Sequence, residues 1–69
     1  MNTKAMQAYA LAMYQAHKDE EADAWYSFDD NWDVNIYDEG WIVRVFVYPV
    51  VDGQTLTNGG SIFSFILEV

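Results

Sequence analysis

The 69-residue sequence predicts an α+β fold, one N-terminal helix packed in two layers on an antiparallel sheet of about four strands. Three observations predict it. Apolar residues recur at helical spacing over the first twenty positions, and from Ala24 the period switches to two. Turn signals at Asp29-Asp30-Asn31, Asp38-Glu39-Gly40, Asp52-Gly53 and Asn58-Gly59-Gly60 then cut the remainder into strand-length pieces. The length suits one domain spanning residues 1–69, with no repeat, linker or low-complexity tail.

The helix is expected from residue 3 to about 21, with Asn2 or Thr3 as N-cap. Met6, Tyr9, Ala10, Met13 and His17 share one face at 3.6 residues per turn, and four alanines add helix propensity. Asp19, Glu20 and Glu21 would oppose the dipole at its C-terminal end, which either marks them for another purpose or ends the helix near Lys18. Ala24–Phe28 is a short strand. Trp32, Val34 and Ile36 alternate with Asp33 and Asn35 along a second. Asp38-Glu39-Gly40 reads as a three-residue hairpin loop, with Gly at the position that needs φ > 0. Trp41–Val50 is the richest in β-branched and aromatic residues, with Pro49 near its end. A short strand at Gln54–Thr57 fits between two turns. The last strand is Ser61–Val69, with Phe63, Phe65, Leu67 and Val69 on one face. Trp25, Trp32 and Trp41 are expected in the core, with Met6 and Met13 as its fillers.

Composition excludes several chemistries. There is no cysteine, hence no disulfide, zinc–thiolate site, iron–sulfur cluster or Cys nucleophile, an absence that fits a reducing compartment. His17 is the single histidine, so no two-His metal site forms within one chain. Its place near the helix end reads as a packed or dipole-satisfying imidazole. Asp29, Asn31, Asp33 and Asn35 match positions 1, 3, 5 and 7 of a calcium loop. Val34 then stands where that loop requires Gly, and Gly40 where it requires Glu. Neither a metal nor a cofactor is expected. A small domain with exposed acids has little volume for the raised-pKa carboxylate of an acid–base enzyme, so catalysis is not expected. Met1–Gln15 lacks the clean apolar core of a signal peptide, and no run is long enough to span a bilayer.

The net charge is −8, from eleven acids and three bases. Nine of the acids fall in one stretch: Asp19, Glu20, Glu21, Asp23, Asp29, Asp30, Asp33, Asp38 and Glu39. Lys4, Lys18 and Arg44 all lie outside it. Trp25, Tyr26, Phe28, Trp32 and Tyr37 are interleaved, so the carboxylates sit on a folded scaffold. A solvated, solubilising face accounts for such a segment. So does a surface that offers a phosphate-like row of carboxylates to a basic, nucleic-acid-handling protein. With no basic patch, direct nucleic-acid binding is disfavoured, and anionic membrane is repelled.

A second candidate surface is the sheet face on which Arg44, Phe46 and Tyr48 join Asp33, Asn35 and Tyr37. Arg44 is expected to pair with Asp33 or Glu68. Tyr37, Phe46 and Tyr48 leave an aromatic patch there for a partner or a second copy, so the chain is expected as a monomer or weak homodimer.

In size, cysteine-free composition and the segregated stretch Asp19-Glu20-Glu21-Ala22-Asp23-Ala24-Trp25-Tyr26-Ser27-Phe28-Asp29-Asp30-Asn31-Trp32-Asp33, the chain resembles the phage-type anti-CRISPR proteins. Among them it looks most like the type I, DNA-mimic inhibitors, with type I-C one candidate subtype. The resemblance is of character, not of motif. It implies an inhibitor in the cytoplasm of a bacterial host whose acids occupy the Lys/Arg-lined DNA path of a Cascade subunit and block target recognition. The reading from the aromatic face is a non-enzymatic interaction module, antitoxin-like or a dimerising accessory protein.

Overall fold

The computed structural model describes residues 2–20 and 22–69. Glu21 of the acidic stretch therefore lies outside the described residues. The chain runs α1 (Thr3–His17), β1 (Asp23–Asp29), β2 (Trp32–Asp38), β3 (Val43–Val51), β4 (Gln54–Thr55) and β5 (Phe63–Leu67). All strand pairings are antiparallel. β2 lies between β1 and β3, while β3 takes β5 along its first part and β4 at its end. One helix on one such sheet is the α+β architecture the hydrophobic periods predict.

Asn2 starts α1, its side chain accepting from the Ala5 N–H at 3.0 Å, an orphan donor that would otherwise meet only water. The helix ends at His17, four residues before the expected end, with Lys18 as C-cap. Stopping there leaves Asp19 and Glu20 just beyond the helix, where the Glu20 N–H caps the His17 carbonyl at 2.9 Å. Met6 and Ala10 are fully buried. They meet Val34, Ile36, Val43, Val45, Val47 and Leu67, with Tyr9, Met13 and Tyr14 packed around them. Covering that valine-rich sheet face with one amphipathic helix makes the core.

Core burial also selects the β2–β3 register. Ile36 pairs with Val45 and Val34 with Val47, so all four side chains point at α1. A shift by one residue would turn them to solvent. The loop that satisfies this register is residues 39–42, not the three-residue Asp38-Glu39-Gly40, and β3 starts at Val43 rather than Trp41. Trp41 is consequently in the loop and 82% exposed, not in the core. Gly40 does adopt the left-handed conformation, at φ 94°. The β3–β4 turn places both Asp52 and Gly53 at positive φ, the requirement of a tight two-residue hairpin.

Pro49 sits inside β3 without costing a ladder bond to β2. Its carbonyl accepts from Leu56 N–H on the β4 side, so its missing N–H also points to that side. β5 has already parted from β3 there, its last pair being Val47 with Phe63.

Candidate interaction surface

Strand alternation sorts every side chain of the sheet between α1 and the open face. The open face carries Asp23, Trp25 and Ser27 from β1, Asp33, Asn35 and Tyr37 from β2, and Arg44, Phe46 and Tyr48 from β3. The expected meeting of Tyr37 with Arg44, Asn35 with Phe46 and Asp33 with Tyr48 is what the register shows.

At the centre the Trp25 and Tyr48 rings meet over β2, with centroids 5.1 Å apart at 37°. Trp25 belongs to this face and is 49% exposed, so it too leaves the core expected of it. The phase of β1 carries the signal: Trp25 alternates with Ala24, Tyr26 and Phe28, in step with Asp23, Ser27 and Asp29. Asn35 pairs with Trp25 and is only 8% exposed. Its amide donates to Asp23 Oδ1 and, at 3.3 Å, to the Ala24 carbonyl. A buried amide left unbonded is costly, and here both donors are used.

The acids do not form a row. Along the open face of β1 the order is Asp23, Trp25, Ser27, so carboxylates do not succeed one another as a phosphate-like series requires. They gather instead at the two ends of the β1–β2 hairpin. Asp29 and Asp30 stand at its turn, where Asp29 Oδ1 accepts from the Asn31 N–H at 2.7 Å. Asp33 is near that end, and Thr55 Oγ1 donates to it. Asp23, Asp38 and Glu39 stand at the other end, toward which the chain leads from Asp19 and Glu20. Six residue steps separate Asp23 from Asp29, about 20 Å at ~3.4 Å each. That exceeds two Debye lengths of ~8 Å at physiological ionic strength. The two ends therefore act as separate electrostatic contacts flanking an aromatic centre.

Several acids have internal duties that their sequence pattern does not reveal. Arg44 Nε meets Glu39 at 3.2 Å, in place of the expected Asp33 or Glu68, because the short loop returns Glu39 to the start of β3. The single base on the open face is thereby engaged by an acid. Asp38 accepts from the Tyr14 hydroxyl at 3.0 Å and from the Gly40 N–H at 2.8 Å. Its hydrogen bond, followed by desolvation and the charges of Asp38 and Asp19, holds the Tyr14 hydroxyl above the usual tyrosine pKa. His17 does pack, its ring centroid 5.4 Å from that of Tyr26, and its Nδ1 lies 3.0 Å from Glu20 Oε2.

Shallow concavities lie on two sides of the described residues. One of about 370 Å³ runs between α1 and β5 and holds none of the acidic stretch. Another of about 270 Å³ lies under Trp41, with Asp38 at its wall. Among the described residues no group of three or more His, Asp or Glu is placed to hold a metal ion, and no helix is long and apolar enough to cross a membrane. No protein-family model, curated protein or solved structure matches the chain.

Proposed function

We propose that the protein is a non-enzymatic inhibitor that sets its open sheet face against the basic, nucleic-acid-binding surface of a larger protein and keeps nucleic acid off it. The observation that carries this reading is the composition of that face. An aromatic centre, Trp25, Tyr37, Phe46 and Tyr48, is flanked at both ends by carboxylates, and its one base is already held by Glu39. Large aromatics supply the contact energy of an interface, and flanking charges steer its approach and set its specificity. The resemblance to type I anti-CRISPR inhibitors suggests one such partner, the DNA path of a Cascade complex.

The aromatic centre changes what a charge experiment should find. A purely electrostatic decoy would lose its affinity with its acids alone. In this reading Trp25→Ala and the pair Asp19→Asn/Asp30→Asn both weaken binding, but only the charge pair flattens its salt dependence. The Asp19 and Asp30 carboxylates accept no hydrogen bond from another described residue, so those changes leave the fold intact. Binding by titration calorimetry to purified type I Cascade at two salt concentrations tests it. Full affinity in both variants would overturn the assignment of this face.

A further inference from the structure

We infer that β5 is a self-pairing edge, through which two copies of the chain join antiparallel about a two-fold axis beside Phe65. The parity of the ladder shows which backbone groups are available. The even-numbered residues of β3 bond to β2, as in Val50 N–H to the Asn31 carbonyl. The odd-numbered ones face the other way, as in Ile62 N–H to the Val47 carbonyl. Val43, Val45 and Val47 pair with Leu67, Phe65 and Phe63, so those three β5 residues spend their backbone groups on β3. Ser64 and Ile66 point theirs outward, and among the described residues no strand lies beyond them.

The two sheet edges are treated differently. On β1 the Ser27 carbonyl accepts from the Tyr9 hydroxyl at 2.6 Å, a bulge interrupts the ladder between Ser27 and Asp29, and both ends are acidic. Such devices protect an edge against pairing with other chains. β5, Phe-Ser-Phe-Ile-Leu, has no charge, proline or bulge within it. The groove between α1 and β5 is lined by consecutive residues Phe65 to Glu68, which belong to both faces, so open space borders the strand's edge itself.

The occupant that fits is a second copy. Outward groups on Ser64 and Ile66 are symmetric about Phe65, as a two-fold antiparallel pair requires. Ser64 of one copy then bonds Ile66 of the other in both directions, four hydrogen bonds in all across the axis. Charge permits the approach despite −8 per chain. The acids of β1 and β2 lie two and three strands away, about 10–14 Å at ~4.8 Å per strand, beyond the Debye length of ~8 Å, and Glu39, nearer at the start of β3, is paired with Arg44. Near the edge Glu68 is balanced by Lys4, which lines the same groove.

Sedimentation velocity from micromolar to millimolar protein, with amide exchange measured by NMR, tests this. Wild type should dimerise as concentration rises, more strongly at higher salt, with Ser64 and Ile66 amides gaining protection. Ser64→Pro removes an outward donor without touching the β3 ladder and should raise the dimer dissociation constant about tenfold or more. Ile66→Glu, on an exposed edge position, should do the same by like-charge repulsion and keeps the test decisive if the proline variant misfolds. A monomer at every concentration, or a dimer unaffected by both variants and lacking protection at Ser64 and Ile66, would overturn the inference. Salt separates this contact from the proposed inhibitory one, because binding to a basic partner weakens with salt.

Discussion

Trp25 and Tyr48 stand on strands that are not neighbours, yet their rings meet 5.1 Å apart over β2. The contact ties both flanks of β2 together and helps keep Asn35, Trp25's register partner, 8% exposed on the open face. A polar group so enclosed must be bonded, and the stability of the face depends on it.

Asn35→Ala should therefore destabilise the fold by about 1–3 kcal/mol, because the amide bonds to Asp23 and to the Ala24 carbonyl are lost. In a domain of this size that corresponds to a fall in Tm of roughly 4–8 °C per kcal/mol. Thermal denaturation followed by circular dichroism measures it.

Met6→Ala should cost more. Met6 is fully buried and secures α1 to the valine face, and such truncations cost about 2–5 kcal/mol. A small domain has a total stability at the low end of ~5–15 kcal/mol, so urea denaturation should show the midpoint lowered by roughly 40% or more.

Gly40→Ala separates backbone strain from crowding. A Cβ at Gly40 would meet nothing within 4 Å, but φ is 94°. The substitution should cost about 1–2 kcal/mol from conformation alone. Gly59→Ala, with equal space and no positive φ, should be close to neutral. Urea midpoints of the two variants make the comparison.

The Tyr14–Asp38 bond gives an alkaline dependence. The Tyr14 pKa is raised in the folded chain, so folded protein holds that proton at a pH where unfolded chain releases it. The stabilisation is fully present below the ordinary tyrosine value of about 10 and is lost as pH rises through the folded value. Stability should thus decline above pH 10 through this group, and Tyr14→Phe should remove that part of the decline. Ultraviolet titration of tyrosinate with parallel melts tests both.

Much of the fold was legible because hydrophobic period is decided locally. Met6 and Ala10 on the helix face, and Val34 and Ile36 facing the valines of β3, follow directly from it. Loop length is not local. Four residues between Asp38 and Val43, rather than three ending at Gly40, satisfy core burial, and that choice exposes Trp41. The acidic stretch was legible as a cluster in sequence but not in space. A hairpin sends its two halves to opposite ends, and Asp33, Asp38 and Glu39 take up partners, Thr55, Tyr14 and Arg44, that lie far along the chain or depend on a loop's path. Trp25 was legible in the alternation of β1, where a tryptophan in phase with aspartates belongs to the open face.

The most direct test of the proposed inhibition is competition for DNA. Fluorescence anisotropy of a labelled target duplex bound by purified type I Cascade should fall to the free value as this protein is added at low salt. It should fall at higher concentrations when salt is raised or Trp25→Ala is used. Unchanged DNA binding at saturating protein would contradict the proposal.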